Sequence, residues 1–285
     1  MALKFHPDKC KHMHVGRKNI DTKYNLRGID INKTTYEKDI GVIIDEKLDF
    51  EKHISEKIKK ANSTFAIIRR SFQFLNEETF KPLYKSLVRT HLEYAGAAWR
   101  PFKAIDIDRI ESVQRRATKQ LPGFKNLEYP ERLRRLRLPT LSYRRCRGDM
   151  IEAYKFIHKL YDTGDTNLLK LWDNCSLRHS QRRNCLQIFP QHCASNVRKN
   201  SFTIRISRVW NSLPEEFVSA PSINSFKNRL DKHWHKQEVL YDNHKAVIKI
   251  NGTRKHNTCR INTINENNEP GEEDPRGPVL GTNPK

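Results

Sequence analysis

Between Phe50 and Leu75 the apolar residues Phe50, Ile54, Ile58, Ala61, Phe65, Ile68, Phe72 and Leu75 recur at intervals of three and four. That is the period of a single helix face. Sustained this long, it commits the segment to an amphipathic helix with one side to bury. Asp49 is placed to cap its start. The pattern continues beyond a break. Asn76 is a suitable N-cap, and Glu77 and Glu78 in the following turn suit the helix dipole. The next helix is expected to bury Phe80, Leu83, Tyr84, Leu87, His91 and Leu92. After Trp99-Arg100-Pro101, a third helix starts near Asp106 and presents Ile110, Val113, Ala117 and Leu121. It stops at Pro122-Gly123. A short helix follows Pro130 and ends by Pro139. Thr140 can cap a longer one reaching about Tyr161, with Leu141, Met150, Tyr154, Ile157 and Leu160 inward.

The ends of the chain read differently. Cys10–Val15, Tyr24–Ile31 and Tyr36–Asp45 are short and strand-like, punctuated by Gly16, Gly28 and Gly41, and read as a hairpin and a third strand. The segment from Asp162 to Asn200 is polar and irregular. A compact unit closes the fold, with a strand or helix through Val209-Trp210, a turn at Leu213-Pro214 and a last helix over Ser222–Trp234. Beyond about Asn243 the Asn-, Gly- and Pro-rich sequence has no periodicity and is expected to be disordered. The expected fold is therefore mainly α with a small β entry (α+β). The segments are a β entry over 1–48, a helical basic domain over 49–162, an irregular C-terminal unit over 163–242 and a disordered tail over 243–285.

Charge narrows the partners. The chain of 285 residues carries 54 Lys and Arg against 33 Asp and Glu, a net charge of +21. From Glu266 onward acids outnumber bases, so the body is more basic still. Such a field favours polyanions, nucleic acid above all. No apolar run approaches the ~20 residues of a membrane span. The first residues contain no apolar core of signal-peptide length, so an intracellular protein of nucleus or cytoplasm, with reduced cysteines, is expected.

Arginines supply the best candidate site. Arg132, Arg134, Arg135 and Arg137 crowd one short helix, Arg144, Arg145 and Arg147 open the next, and Arg115 and Arg116 lie on the helix before. Arg69 and Arg70, with Lys57, Lys59 and Lys60, decorate the first long helix. Guanidinium forks match phosphate oxygens and hold a duplex without reading its sequence. The competing reading is a solvated basic face, or arginines holding neighbouring helices. Tyr143 beside Arg144 is the one tidy candidate for stacking on a base. Trp99, Trp210 and Trp234 sit among apolar residues and are expected in the core.

Other chemistries find little support. Cys175, His179, Cys185, His192 and Cys193 could supply zinc ligands, but the spacing lacks a C-x2-C knuckle and adjacent His192-Cys193 suits one metal poorly. Loop thiols are the plainer reading. Asp106 and Asp108 form a D-x-D better explained by helix capping than by a metal. There is no phosphate-binding G-x-x-x-x-G-K-[ST], no H-E-x-x-H, no G-x-S-x-G and no G-x-G-x-x-G.

Four blocks carry a resemblance. LKFHPDKCKHMHVG (Leu3–Gly16), YEKDIGVIIDEKLDFEKHI (Tyr36–Ile54), Phe80–Leu121 and VWNSLPEEFVSAPSINSFKNRLDKHW within Arg198–Trp234 resemble, in order and spacing, the C-terminal part of non-LTR (LINE-type) retrotransposon reverse transcriptases of the chicken-repeat and jockey-like kind. The resemblance implies the end of the palm, a helical thumb and a C-terminal domain. Members of this family copy RNA into DNA with two Mg²⁺ ions held by palm aspartates, one in an aromatic-x-Asp-Asp loop. This sequence has no Asp-Asp pair. The resemblance therefore implies a fragment of an RNA-directed DNA polymerase that lacks the catalytic palm, has no catalytic residue or cofactor of its own and is inactive alone. Its expected partner is an RNA–DNA or RNA duplex, held largely without regard to sequence. The alternative is a self-sufficient basic helical module binding RNA or DNA, stabilised by zinc through Cys175, His179, Cys185 and Cys193.

Overall fold

A computed structural model describes residues 5–16, 19–20, 22–162, 168–172 and 186–242, together with the backbone of two short strands further on. The fold is mainly α with a small β part. Six strands come first: β1 (Lys11–His12), β2 (Asn25–Leu26), β3 (Ile29–Asp30), β4 (Asn32–Lys33), β5 (Tyr36–Asp39) and β6 (Val42–Asp45). They pair only two by two: β1 with β4 in parallel, β2 with β3 and β5 with β6 antiparallel.

In place of the expected hairpin and third strand, two of the strand-like segments are each a hairpin. Tyr24–Ile31 folds back at Arg27-Gly28 and Tyr36–Asp45 at Ile40-Gly41, and all four turn residues have positive φ. Two-residue hairpin loops need that conformation because its twist matches the strands. Gly28 and Gly41 adopt it freely. Arg27 and Ile40 do so at a cost of about 1–2 kcal/mol each. Three bonds then fix the β5–β6 hairpin on the helices: Lys57 Nζ donates to the Gly41 carbonyl (3.1 Å), Tyr94 Oη donates to that of Ile40 (2.9 Å), and the Ile43 amide donates to His53 Nδ1 (3.1 Å). His53 is fully buried against the Trp99 ring, and burial pushes its pKa down to about 4, so it is a neutral acceptor.

The helices follow: α1 (Glu51–Ser71), α2 (Glu77–Leu83), a π-turn (Tyr84–Val88), α3 (Arg89–Glu93), α4 (Ala104–Lys119), α5 (Tyr129–Leu136) and α6 (Leu141–Ile157). After them come α7 (Asn196–Lys199), α8 (Phe202–Asn211), α9 (Glu215–Val218) and α10 (Ile223–Trp234). The caps at Asn76, Thr140 and Ser222 each accept the amide three residues on, at 2.8, 3.1 and 3.2 Å. The start of α1 is built differently from expectation. Phe50 takes the cap position in a left-handed conformation, while Asp49 accepts the Glu51 amide and Asp45 accepts those of Lys47, Asp49 and Phe50. Nor do Asp106 and Asp108 cap α4, whose N-cap is Lys103; they pair instead with Arg109 and Arg115.

Pro82 lies inside α2, where it can donate no backbone hydrogen bond, and the helix widens just beyond it into the π-turn. The extra residue changes the phase. The buried row runs Phe80, Tyr84, Val88, Leu92, in steps of four, and Leu87, expected inside, is exposed. His91 is half-buried against Thr64.

There are two cores. The first joins β6, α1, α2, the π-turn, α3, α4 and α5 around Trp99, and includes Leu141. The second joins α6, α8, α9 and α10 around Trp210 and Trp234. Thus α6 belongs to both, and a boundary at residue 162 separates it from the helices its outer turns pack against. Val209-Trp210 is helical, Leu160 is exposed beyond the end of α6, and all three tryptophans singled out in the sequence are buried. In the segment expected to be irregular, the bridge Leu171–Ile188 and the short helix α7 are ordered. In the region expected to be disordered, β7 (Val247–Lys249) pairs antiparallel with β8 (Thr258–Arg260); its other residues lie outside those described. No helix among the described residues is long and apolar enough to cross a membrane.

The phase change predicts an asymmetry. Leu87→Asp should alter stability by less than about 1 kcal/mol, as at other exposed sites. Val88→Asp puts a charge into the core and should abolish cooperative unfolding. Urea denaturation of the two variants measures the difference.

Candidate nucleic-acid interface

Several arginines singled out in the sequence hold helices together. On α6, Arg144 grips both carboxylate oxygens of Glu93 on α3, and Arg147 does the same to Asp231 on α10 (2.6 and 2.7 Å). Arg145 is buried. Its Nη2 donates to Ser142 Oγ (3.2 Å), it lies near Glu111, and burial pushes its pKa down to about 10. Glu111, itself fully buried, accepts the Tyr129 hydroxyl (2.6 Å) and the Leu141 amide (3.0 Å). Its carboxylate thus sits at the N-terminus of α6, where the helix dipole favours it. Burial still raises its pKa, against the pull of Tyr129 and Arg145.

Arg132 is also buried, with its guanidinium 5.5 Å from the Tyr129 ring centroid. Arg115 approaches the same ring at 5.5 Å and pairs with Asp108 (2.7 Å). Arg135 is exposed, pairs with Glu77 (2.8 Å) and lies over Phe124. Lys57 is committed to Gly41, and Lys60 pairs with Glu56 (3.0 Å). Tyr143 cannot stack on a base: it is buried, with its ring edge-on to Trp234. The reading of arginines as helix clamps therefore accounts for Arg144 and Arg147 and, through Glu111, for Arg145.

The sequence analysis missed the strongest of these clamps. Asp149, 3% exposed, accepts Arg100 from the Trp99-Arg100-Pro101 break and both Nε and Nη2 of Arg205 on α8 (3.0 and 2.8 Å). Arg205 also donates to the carbonyls of Ala97 and Asn200. The signal was present: an aspartate between Cys146, Met150 and Ala153 on an apolar helix face requires cationic partners.

A second group faces outward. Arg69, Arg70, Arg116, Arg134 and Arg137 are exposed, as are Lys59 and Lys119, and none pairs with an acid among the described residues. The packing of α1 on α4 orders some of them. Lys103 bonds Asp49, Arg109 bonds Ser55, and Arg116 reaches Asn62 at 3.4 Å, each across the same offset of 54 residues. A constant offset means parallel helices in register. Polar contacts along this seam therefore recur every six to seven residues, about 9–10.5 Å. Arg69, two turns beyond Asn62, continues the row past the end of α4. Arg134 and Arg137 lie on α5 and at its left-handed C-cap.

Of the proposed zinc ligands, Cys175, His179 and Cys185 lie outside the described residues. His192 is exposed and Cys193 half-buried. Among the described residues no group of three His, Cys, Asp or Glu side chains is placed to hold a metal.

Breaking the inner network should be costly. Asp149→Asn leaves Arg100 and Arg205 with buried, uncompensated charge and should lower stability by about 3–5 kcal/mol. Chemical denaturation gives the value, and an effect below about 1 kcal/mol would remove the clamp from this account. No protein-family model, curated protein or solved structure matches this chain.

Proposed function

We propose that this chain is the C-terminal, non-catalytic part of a non-LTR retrotransposon reverse transcriptase, and that it grips the template–primer duplex through phosphate contacts. One observation carries the binding half of this reading. Acids engage Arg144, Arg147 and Arg205, while Arg69, Arg70, Arg116, Arg134 and Arg137 stand exposed with no acid beside them among the described residues. In a chain of net charge +21 this unneutralised set is the natural contact for a polyanion. Contacts of this kind fix position without reading bases, so affinity should be nearly independent of sequence.

The family half rests on the four sequence blocks. Two of them fall on elements that position the grip: Tyr36–Ile54 spans the β5–β6 hairpin and the start of α1, and Phe80–Leu121 spans α2 to the end of α4. The parent enzyme's two Mg²⁺ ions would be held by aspartates for which this sequence has no counterpart. In this reading the chain holds a duplex and does not extend it.

The test is a double charge reversal at exposed positions, Arg116→Glu with Arg134→Glu. Affinity for an RNA–DNA hybrid should fall at least tenfold, equally for unrelated sequences, and the slope of log affinity against log salt should flatten by about two. Neither residue is buried, so the melting temperature should hold. Unchanged affinity and slope would refute the grip; robust primer extension by the unmodified chain would refute its non-catalytic character.

A further inference from the structure

The π-turn does more than shift the buried row. In an ordinary α-helix, residues spaced by four drift around the axis. The wider π-turn, whose hydrogen bonds span five residues, holds them closer to one line. The outer row next to Phe80, Tyr84, Val88 and Leu92 is Lys81, Lys85, Arg89 and Glu93. Glu93 is the one acid in that row, and it is already taken. Arg144 of α6 binds both its oxygens, and Arg89 Nε lies 3.6 Å from one of them. Two guanidiniums thus share a single carboxylate, while Lys81 and Lys85 pair with no acid among the described residues.

Arg89 and Arg144 therefore share one spent carboxylate, and Lys85 and Lys81 follow one and two turns back along the same row. Arg89 Nε is buried with no hydrogen-bond acceptor in range. The cations feel one another: besides burial, Arg89, Lys81 and Arg144 lower the pKa of Lys85, and Arg144 lowers that of Arg89. The cluster is also reachable, since Lys85 is exposed and the side chain of Arg144 is 28% exposed. A multiply charged oxyanion with several acceptors would relieve the repulsion and offer the Arg89 guanidinium the acceptor its Nε lacks.

We propose that Lys81, Lys85, Arg89 and Arg144 form a phosphate-binding site, separate from the exposed arginines assigned to the duplex, that takes a single terminal or free phosphoryl group. The preference for a dianionic group over a backbone phosphodiester follows from the surplus of cations along this row. The site does not depend on the family reading or on the duplex grip.

Titration calorimetry of the full chain with pyrophosphate, at ionic strength matched by chloride, tests it. Saturable one-to-one binding is expected. Lys85→Gln and Arg89→Met should each weaken it about tenfold, the loss of one charge-assisted contact. Arg116→Glu with Arg134→Glu should leave it intact even where duplex binding is lost, which separates this site from the grip. Single strands with a 5′-phosphate or a 5′-hydroxyl identify the source. Preference for the phosphate that disappears in Arg89→Met assigns a strand end, and binding of pyrophosphate without such a preference assigns a free phosphate. Lys85 is exposed, so Lys85→Gln reports on the site without threatening the fold; melting curves control for Arg89→Met. Absence of both pyrophosphate binding and a 5′-phosphate preference overturns the proposal. So does binding that Lys85→Gln and Arg89→Met leave unchanged.

Discussion

The fold depends on one buried carboxylate, Asp149. It lies on α6, the helix common to both cores, and binds arginines from opposite sides: Arg100 from the chain entering α4 and Arg205 from α8. A charge this deep is tolerable only when paired and hydrogen-bonded, so the three side chains require one another. Its neighbours on α6 repeat the device. Arg144 reaches Glu93 on α3, Arg147 reaches Asp231 on α10, and Glu111 of α4 meets the first turn of α6. Each joins α6 to a different helix, and together they fix how the cores meet.

This arrangement also decides where the charge goes. Acids are the scarce partner in this chain, 33 against 54 bases. Several of them, Glu93, Asp149 and Asp231 among others, sit at helix junctions, where each engages one or two cations. The bases left over are pushed to the surface, at the end of α1, on the outer side of α4 and α5, and along the row set by the π-turn. A basic exterior is thus the complement of an ion-paired interior.

Features encoded locally were legible in the sequence. The apolar face of α1, the caps at Asn76, Thr140 and Ser222, and the three buried tryptophans follow from periodicity and residue type. What failed was non-local or hidden in backbone geometry. The positive φ of Arg27 and Ile40 makes two hairpins where the sequence suggests one. Pro82 marked a disturbance in α2, but composition alone does not distinguish a kink from a π-turn, so Leu87 was placed inside and Val88 overlooked. The arginines were the largest error of the same type. Arg134 and Arg145 look alike in sequence, yet one is exposed and the other faces Glu111 in the interior. Only the pairing of distant helices separates them; a carboxylate on an apolar face, as at Asp149, is the one local clue.

The central claim is this division between arginines that hold the fold and arginines that face a polyanion. Arginine-selective dicarbonyl labelling of the native chain, read by peptide mass spectrometry with and without an RNA–DNA duplex, tests it most directly. Arg69, Arg70, Arg116, Arg134 and Arg137 should react quickly and be protected by the duplex. Arg100, Arg145 and Arg205 should react only after unfolding. Rapid labelling of Arg145 or Arg205 in the native chain, or duplex protection centred on them, would contradict it.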